Sequence, residues 1–309
     1  MKFILKITFS LLFLSASSVI MASQETLKVV DITKNIKAIV GEIGNRNAKN
    51  LGNNATFGVI ITEQGVILID SGGTYKGAKA IHEVVKSITN QPIKFVINSG
   101  GQDHRWFGNG YFKEQGVKII SSQAAKIDHK NRFDVQLKRL EGLAGKALIQ
   151  NTKPELADIT FEKDYTLKLG KTTLEIHHRG QAHTPGDAFI WLPKEKIMFS
   201  GDIVYLERML GVGNQSNSKS WVAAFEAMSA YEVDIIVPGH GHPAKFEQAK
   251  KSTYNYLKFL RKKVTALLDD DGEMSDLKKI DQSEYQYLSN FDALSQRNIQ
   301  KVFSEIEFE

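Results

Sequence analysis

The sequence contains no cysteine. Disulfide bonds, thiolate zinc ligands and thiol nucleophiles are therefore all excluded. With 309 residues, 42% of them apolar, the chain is long enough to bury an ample core in one large or two modest domains. The fold must rest on that core and on any metal that the protein binds.

Long apolar runs are missing except at the N-terminus. Residues 7–20 are mostly apolar, follow Lys2 and Lys6, and precede the small residue Ala22, a pattern that predicts a secretory signal peptide over residues 1–23. The run is shorter than the roughly 20 residues that a membrane span needs. We expect a periplasmic or secreted protein with no stable membrane association after cleavage. An uncleaved anchor or a buried N-terminal helix is the alternative.

The formal net charge of the chain is also small. The formal net charge is +5, and removing Lys2 and Lys6 with the signal peptide lowers it to +3. The densest basic stretch, residues 250–263, interleaves its basic residues with aromatic and aliphatic ones, as an amphipathic helix with a solvated face does. So small a surplus, spread over segments of mixed sign, argues against a nucleic-acid partner.

Strand and helix patterns alternate in two similar halves after the signal peptide. In the first half, the strand patterns cover residues 27–32, 36–41, 56–62, 66–70, 93–97 and 117–121, and the helical patterns cover 75–89 and about 122–148. In the second half, the strand patterns cover residues 159–161, 165–169, 172–177, 188–192, 196–200 and 234–237, with a helix at 220–231 and further helices to the C-terminus.

Two β-rich halves with helices packed outside them predict an α/β fold, a four-layer αββα sandwich. The aspartates and glycine at 269–272 interrupt the last helical region. They divide the predicted main domain, residues 24–268, from a C-terminal helical extension, residues 269–309. The segment 205–218 has no strong helix or strand pattern, and we expect it to be a mobile loop at the mouth of the site.

Four polar motifs, each near the end of an apolar run, carry the chemistry. Residues 98–109 read NSGGQDHRWFGN, 182–187 read AHTPGD, 200–202 read SGD, and 238–243 read PGHGHP. In this order they resemble the metallo-β-lactamase fold superfamily, and the likeness extends over roughly residues 26–262. The resemblance implies the same αββα sandwich and a metal-dependent hydrolase.

The first motif departs from the family's usual pattern, His-x-His-x-Asp-His. Ser99 and Gly101 stand where the first two histidines should be. By the resemblance, one metal site keeps only His183 and a shared Asp202, whereas the other site is complete. The complete ligand set consists of Asp103, His104, Asp202 and His240.

A serine hydroxyl is a poor zinc ligand and glycine has no side chain, so we expect one zinc ion per chain, with a second ion weak or absent. If Ser99 and Gly101 are simple vacancies, changing both to histidine should strengthen binding of a second ion. One zinc suffices for hydrolysis, because a single ion acidifies water and polarises a carbonyl. The mononuclear, carbapenem-hydrolysing subclass of the superfamily is the precedent. By that analogy His183 orients or deprotonates the water, and Asp103 or Asp202 shares this work.

Each motif also has a purely structural interpretation. Asp103 and His104 alone would more often be a helix cap beside a surface histidine than a ligand pair. His183 and His240 are stronger candidates, because the glycine and proline around them predict tight loops that direct the imidazole ring into a cleft. The four motifs together favour a metal site.

Other polar residues near the motifs are assigned supporting roles. We expect Asp70 to support the loops without binding metal and Asp187 to brace a histidine or cap a turn. His242 is interpreted as structural, and His129, in a polar helical stretch, as solvated. Trp106 is interpreted either as an apolar wall of the pocket or as part of the core.

The preferred hypothesis is an exported zinc-dependent hydrolase that cleaves a small-molecule ester, thioester, lactone or amide. A β-lactamase is one possibility within this class, because loops set the function on such a fold. The alternative from another class is a catalytically silent periplasmic protein that binds a metal or small ligand. A hydrolase needs His183 and a position for water, whereas a binding protein does not.

Overall fold

The computed structural model of the protein describes residues 26–309, and the predicted signal peptide lies outside them. The first half of the chain forms a seven-stranded sheet in the order β1 to β7. Its strands are β1 (Lys28–Asp31), β2 (Ile36–Val40), β3 (Thr56–Thr62), β4 (Gly65–Ile69), β5 (Ile93–Asn98), β6 (Lys118–Ser122) and β7 (Ile159–Phe161). The sequence patterns placed β7 with the second half, but it pairs with β6 in the first sheet.

Strands β1 to β4 of this sheet are antiparallel to one another, whereas β4 to β7 run parallel. Parallel neighbours cannot be joined by a tight turn, so helices make the crossovers. These are α1 (Tyr75–Ile88), α2 (Asp103–Trp106), α3 (Asn109–Glu114) and α4 (Gln123–Ala144). Ser122 caps α4, because its side chain accepts a hydrogen bond from the amide of Ala125.

The second half forms a five-stranded sheet in the order β12-β11-β10-β9-β8. Its strands are β8 (Asp164–Leu169), β9 (Thr172–His178), β10 (Ala188–Leu192), β11 (Ile197–Phe199) and β12 (Ile235–Val237). Strands β11 and β12 are parallel, and the helix α5 (Ser218–Met228) lies between them in sequence. The other pairs are antiparallel.

Helices complete the chain after β12. The helix α6 (Phe246–Ala249), one π-helical turn (Lys250–Tyr254) and α7 (Asn255–Asp269) run on from one another. Two short 3-10 turns (Met274–Lys279 and Ser283–Tyr285) then lead to α8 (Phe291–Glu307). Within residues 26–309, no helix is both long and apolar enough to cross a membrane.

Three apolar interfaces separate four layers. Between the sheets, Ile69 and Ile97 of the first sheet pack with Ile176, Ile190 and Phe199 of the second. The outer face of the first sheet packs against α1 and α3. The outer face of the second sheet packs against α5, α7 and α8. The predicted four-layer αββα sandwich with C-terminal helices is confirmed.

The C-terminal extension shares the core of the second half. Its buried residues Ile299, Val302 and Phe303 belong to the same apolar cluster as Met209 and Trp221. The predicted boundary between residues 268 and 269 falls at the end of α7. The extension therefore contributes apolar contacts to the domain that it follows.

The segment 205–218 differs from the expected mobile loop. Most of its residues are buried, and two of its amides donate hydrogen bonds to the C-terminal region. The amide of Met209 donates to the carbonyl of Ser289 over 2.9 Å, and the amide of Val212 donates to Asn298 Oδ1 over 2.8 Å. The mobile-loop prediction is wrong because the segment packs beneath α8, which the local sequence could not indicate.

If the extension is part of the core, shortening a buried side chain of α8 should destabilise the whole domain. We expect Ile299→Ala, which truncates a fully buried side chain, to lower the free energy of unfolding by about 2–5 kcal/mol. Val135→Ala, at an exposed position of α4, is the control and should change it by less than about 0.5 kcal/mol. Urea unfolding followed by circular dichroism measures both. Equal effects would mean that the extension unfolds separately.

Candidate metal centre

The polar motifs lie at one edge of the two sheets, in loops that follow the strands. Asp70 follows β4, residues 99–105 follow β5, Asp202 follows β11 and His240 follows β12. Because β4 runs parallel to β5, and β11 to β12, each pair of loops leaves its sheet on the same side. His183 comes from the loop between β9 and β10.

Three of the predicted ligands converge. His104, Asp202 and His240 are all buried, and one ligand atom from each lies within 4.8 Å of the others. His104 Nε2 is 3.1 Å from Asp202 Oδ2, and His240 Nε2 is 3.2 Å from Asp202 Oδ1. Two imidazoles around one carboxylate form a nitrogen and oxygen donor set of the kind that zinc prefers.

The hydrogen bond of His240 leaves its other ring nitrogen available to a cation. His240 Nδ1 is 2.7 Å from the carbonyl oxygen of Asn54, which can only accept a hydrogen bond, so Nδ1 carries the proton. Burial lowers the pKa of His240 well below its usual value, so the ring is neutral and Nε2 presents a lone pair. That lone pair faces Asp202 Oδ1. Two acceptors facing each other repel unless a cation lies between them.

Asp103 lies beside the cluster but outside it. Its Oδ2 is 3.2 Å from Nε of Arg46, and Nη1 of the same guanidinium is 3.2 Å from His104 Nδ1. Burial alone would raise the pKa of Asp103, but the charge of Arg46 and the contacts with His104 outweigh it and hold the pKa well below its usual value. The structure thus pairs Asp103 with an arginine, and its predicted role as a ligand stays a prediction.

Arg105 lies beneath the cluster. Its guanidinium is fully buried and donates to Asp70 Oδ2 over 2.8 Å and to Asp202 Oδ1 over 2.6 Å. It also donates to the carbonyls of Thr56 and Gly239. Burial would raise the pKa of Asp202, but Arg105 and His104 hold it well below the usual value. Asp202 is therefore a carboxylate, the form that binds a cation.

Asp70 supports the first motif as expected. It adopts a left-handed backbone conformation with φ of 67° and is buried. Its Oδ1 accepts a hydrogen bond from the Ser99 amide over 2.7 Å, and its Oδ2 accepts one from the Ser99 hydroxyl over 2.8 Å. The hydroxyl that replaces the family's first histidine is therefore bonded to Asp70.

The place of the second missing histidine is filled by α4. A Cβ atom added to Gly101 would lie 1.9 Å from Asp128 Oδ2, and Asp128 is itself paired with Arg132. Arg132 and Gln136 both donate to the carbonyl of Gly101. Two vacancies were expected here, but the missing side chain at Gly101 gives room to Asp128 of this helix.

This packing argues against the expected repair of the first motif, which stays a prediction. A histidine at position 101 would collide with Asp128, and one at position 99 would displace the hydroxyl that binds Asp70. The double change would therefore disturb α4 and the floor of the site before it could add two imidazoles. A second metal ion would need further changes in α4.

His183 lies near the cluster without joining it. Its Nδ1 is 2.9 Å from the carbonyl of Gly211, to which it must donate, and its ring packs edge-on against Tyr205 and Trp221. Burial lowers the pKa of His183 to about 4, despite the nearby charge of Asp202. The side chain is therefore a neutral imidazole whose Nε2 is free of a proton.

The remaining motif residues hold loops. Asp187 accepts a hydrogen bond from the Thr184 amide over 2.7 Å, and Thr184 Oγ1 in turn accepts from the Gly101 amide over 2.9 Å. Burial raises the pKa of Asp187 to about 8. His242 is exposed and contacts Glu207 at 2.8 Å. Asp187 thus links the second motif to the first.

His129 and Trp106 form part of the core behind the first motif. The two rings are stacked with centroids 4.2 Å apart, both are fully buried, and His129 Nε2 lies 2.9 Å from the carbonyl of Gly100. The prediction that His129 is solvated is wrong, because α4 turns this polar position toward the Gly100 loop. Of the two interpretations of Trp106, the core is correct.

The sequence analysis did not predict the contacts that four residues make around the site: Arg46, Arg105, Asp128 and Arg132. A signal for Arg105 was present, because two buried acids, Asp70 and Asp202, predict a cation between them. Arg46 gave no signal, since it lies in an irregular loop far from the motifs in sequence. Asp128 and Arg132 lie one helical turn apart, a spacing that is usual for exposed ion pairs.

Comparison with known proteins agrees with this geometry. Residues 52–240, more than half of the chain, match the Metallo-beta-lactamase superfamily. A metallo-beta-lactamase type 2 from Bacillus sp. (strain 170) is 25% identical over 245 residues, which cover 74% of this chain and 86% of that protein. The type 2 enzyme from Bacillus cereus is 24% identical over 221 residues, covering 70% and 77%.

Solved structures show the same fold. A metallo-beta-lactamase from Pontibacter korlensis superimposes with a TM-score of 0.60 at 23% identity, covering 75% of this chain and 99% of that one. The DIM-1 metallo-beta-lactamase gives a TM-score of 0.58 at 19% identity, covering 75% and 97%. Fold and site thus define an αββα protein of the metallohydrolase type. The chain belongs to the metallo-β-lactamase superfamily.

If Arg105 neutralises two buried carboxylates, removing its charge should cost much stability. We expect Arg105→Met, which keeps a long apolar stem, to lower the free energy of unfolding by about 3–5 kcal/mol, because Asp70 and Asp202 are left unpaired. Arg179→Met breaks a more exposed pair with Asp164 and should cost no more than about 1 kcal/mol. Chemical denaturation compares the two. Equal losses would contradict the assigned role.

If α4 needs a glycine at position 101, even one methyl group should be harmful there. We expect Gly101→Ala to lower the free energy of unfolding by about 1–3 kcal/mol, because Asp128 must move. The control is Gly142→Ala. Gly142 lies within α4 and has open space around it, so this change should raise the free energy of unfolding by about 0.5–1 kcal/mol. Thermal unfolding of both variants gives the sign. A stabilising Gly101→Ala would show that the loop has room for a side chain.

Proposed function

We propose that this protein is an exported, zinc-dependent hydrolase that uses one zinc ion to cleave a small-molecule ester, thioester, lactone or amide. The observation that carries the proposal is the convergence of His104 and His240 on Asp202, with His240 Nε2 facing a carboxylate oxygen, acceptor to acceptor. Membership of a superfamily of metal-dependent hydrolases supports it. The leader pattern at residues 1–23 supports export.

His104, Asp202 and His240 would hold the ion, and Asp103 would join them as a fourth ligand. When bound, zinc supplies Lewis acidity, which polarises a carbonyl group and makes water more acidic. Arg105 keeps Asp202 ionised, and the carbonyl of Asn54 keeps the His240 ring turned toward the ion. The protein's own residues thus preset the charge and the orientation of the donors.

His183 is the candidate general base. Its Nδ1 donates to Gly211, so Nε2 can accept a proton from water, and the bond to Gly211 fixes the orientation of the ring. Because its pKa is about 4, the ring is in the proton-accepting form at neutral pH. Asp103 and Asp202 would share the orientation of the water. The rings of Tyr205 and Trp221 hold His183 in place from the apolar side.

The proposal covers several classes of substrate with a carbonyl group. The relatives named metallo-β-lactamases share about a quarter of their residues with this chain, and β-lactams are one class of amide among those to be tested. Nitrocefin, lactones, thioesters and aryl esters form the first panel, under zinc-replete conditions near neutral pH.

Metal content and turnover should respond differently to the two histidines. We expect close to one zinc ion per chain after dialysis against a mild chelator. His104→Ala should remove a ligand and lower both metal content and hydrolysis. His183→Ala should keep the ion and lower turnover by about 10²–10⁴-fold, the usual contribution of a general base. Elemental analysis and rates on the substrate panel measure these effects.

His242→Ala is the matched control, because His242 is exposed and belongs to the same motif as His240. It should change neither metal content nor turnover. Two retained ions, or none, would contradict the proposed site. Loss of the ion from His183→Ala would make His183 a ligand, and absence of turnover in zinc-loaded protein on the whole panel would favour the silent binding protein.

A further inference from the structure

Among residues 26–309, Arg46 is the one arginine from outside the four motifs with a hydrogen bond or ion pair to predicted metal ligands. It lies in the loop between β2 and β3, and its side chain is only 9% exposed. Its guanidinium reaches Asp103 Oδ2 and His104 Nδ1, each over 3.2 Å. A single buried cation thus contacts two of the four predicted ligands.

The contact with His104 bears on where that ring carries its proton. A guanidinium only donates hydrogen bonds, so in a neutral ring whose Nδ1 accepts from Arg46 Nη1 the proton is on Nε2. Nε2 then donates to Asp202 Oδ2 over 3.1 Å. Nε2 is the atom that points into the cluster with Asp202 and His240, yet in this tautomer it has no lone pair to give to a metal.

The contact with Asp103 has a second consequence. Its carboxylate is paired with Arg46 and lies outside the group formed by His104, Asp202 and His240. The pairing is imperfect, because neither Arg46 Nε nor Asp103 Oδ2 forms a hydrogen bond within residues 26–309. A charge contact of this kind is easier to break than the bonds that hold Arg105 to its two carboxylates.

We propose that Arg46 is an internal cation that competes with the metal ion for Asp103 and His104. Resting on the function proposed above, this means that the metal binds fully only when Arg46 leaves both ligands. In that state His104 is the other tautomer: solvent takes the proton from Nε2 and returns one to Nδ1, which donates a hydrogen bond to Asp103 Oδ1, 3.3 Å away. Nε2 gains the lone pair that a metal ligand needs. Arg46 thereby weakens metal affinity while neutralising Asp103 in the metal-free protein.

The loop that carries Arg46 is anchored by another arginine. Arg208 donates from Nη1 to the carbonyl of Gly44 over 3.1 Å, two residues before Arg46, and is itself buried. This contact holds the backbone of the loop, so a movement of the Arg46 side chain alone is sufficient to free the ligands. The proposal therefore requires no rearrangement of a strand or helix.

The test is a zinc competition titration of the full-length mature protein with a chromophoric chelator. Arg46→Met removes the charge and the donor but keeps an apolar stem, and we expect it to tighten zinc binding by tenfold or more. Arg139→Met is the control: Arg139 is exposed, and its charge acts on Arg46 and Asp103 without a hydrogen bond to either. It should change the affinity by less than about threefold. Circular dichroism confirms folding.

Stability without metal gives a second readout. Metal-free Arg46→Met should melt at a lower temperature than the wild type, because Asp103 is left as an unpaired buried carboxylate. Saturating zinc should raise its melting temperature by more than it raises that of the wild type, because the ion replaces the lost charge. A metal-dependent shift no larger than the wild type's would overturn the competition.

The tautomer can be read without any variant of Arg46. Imidazole nitrogen NMR shifts of the metal-free protein, with the His104 signal assigned by its loss in His104→Ala, should show the proton on Nε2. A proton on Nδ1 would overturn the proposal even if Arg46→Met failed to fold. Folded Arg46→Met with unchanged or weaker zinc affinity, or an Arg139→Met effect equal to it, would also overturn it. If the wild type and both arginine variants bind no zinc, the proposed function fails as well.

Discussion

The buried guanidinium of Arg105 is the interaction on which the rest of the site depends. Asp70 ends a strand of the first sheet and Asp202 follows a strand of the second, and Arg105 donates to both. It also bonds the carbonyls of Thr56 and Gly239, so four acceptors from both halves of the chain meet on one side chain. Without this cation, two carboxylates would be buried together without a partner, and the loops at this edge of the sheets would repel each other.

Two arginines serve the two predicted acidic ligands in different ways. Arg105 contacts Asp202 from beneath and leaves its other oxygen toward His104, so charge balance and metal binding are compatible there. Arg46 instead contacts Asp103 Oδ2 and His104 Nδ1, which belong to two predicted metal ligands. Arg105 would keep its contacts beneath the site both with and without a metal ion. In the proposed competition, Arg46 neutralises the site only while the metal is absent, so the charge that preserves the metal-free protein would oppose its loading.

Most of the fold could be predicted from the sequence, because its strands and amphipathic helices follow local periodicity. The layer order, and the positions of His104, Asp202 and His240 at strand ends, were predictable for the same reason, with help from the resemblance to a known family. Long-range packing could not be predicted in this way. The exposed-looking pair Asp128 and Arg132 lies against Gly101, and the segment 205–218 is buried under α8, because tertiary contacts rather than local pattern decide both. Arg46 lies in a loop without periodicity, so no sequence signal connects it with Asp103.

The replacement of the two histidines is therefore more than a loss of ligands. Gly101 lets α4 approach, and its carbonyl accepts from Arg132 and Gln136, while Ser99 uses its hydroxyl to bond Asp70. Each replacement has become part of the packing around the remaining ligands, and an imidazole at either position would now displace a hydrogen-bonded neighbour. Since these neighbours also position the loop that carries Asp103 and His104, the remaining polar cluster and the altered motif depend on each other. An imidazole at position 101 would require Asp128 of α4 to move before any ligand could be gained.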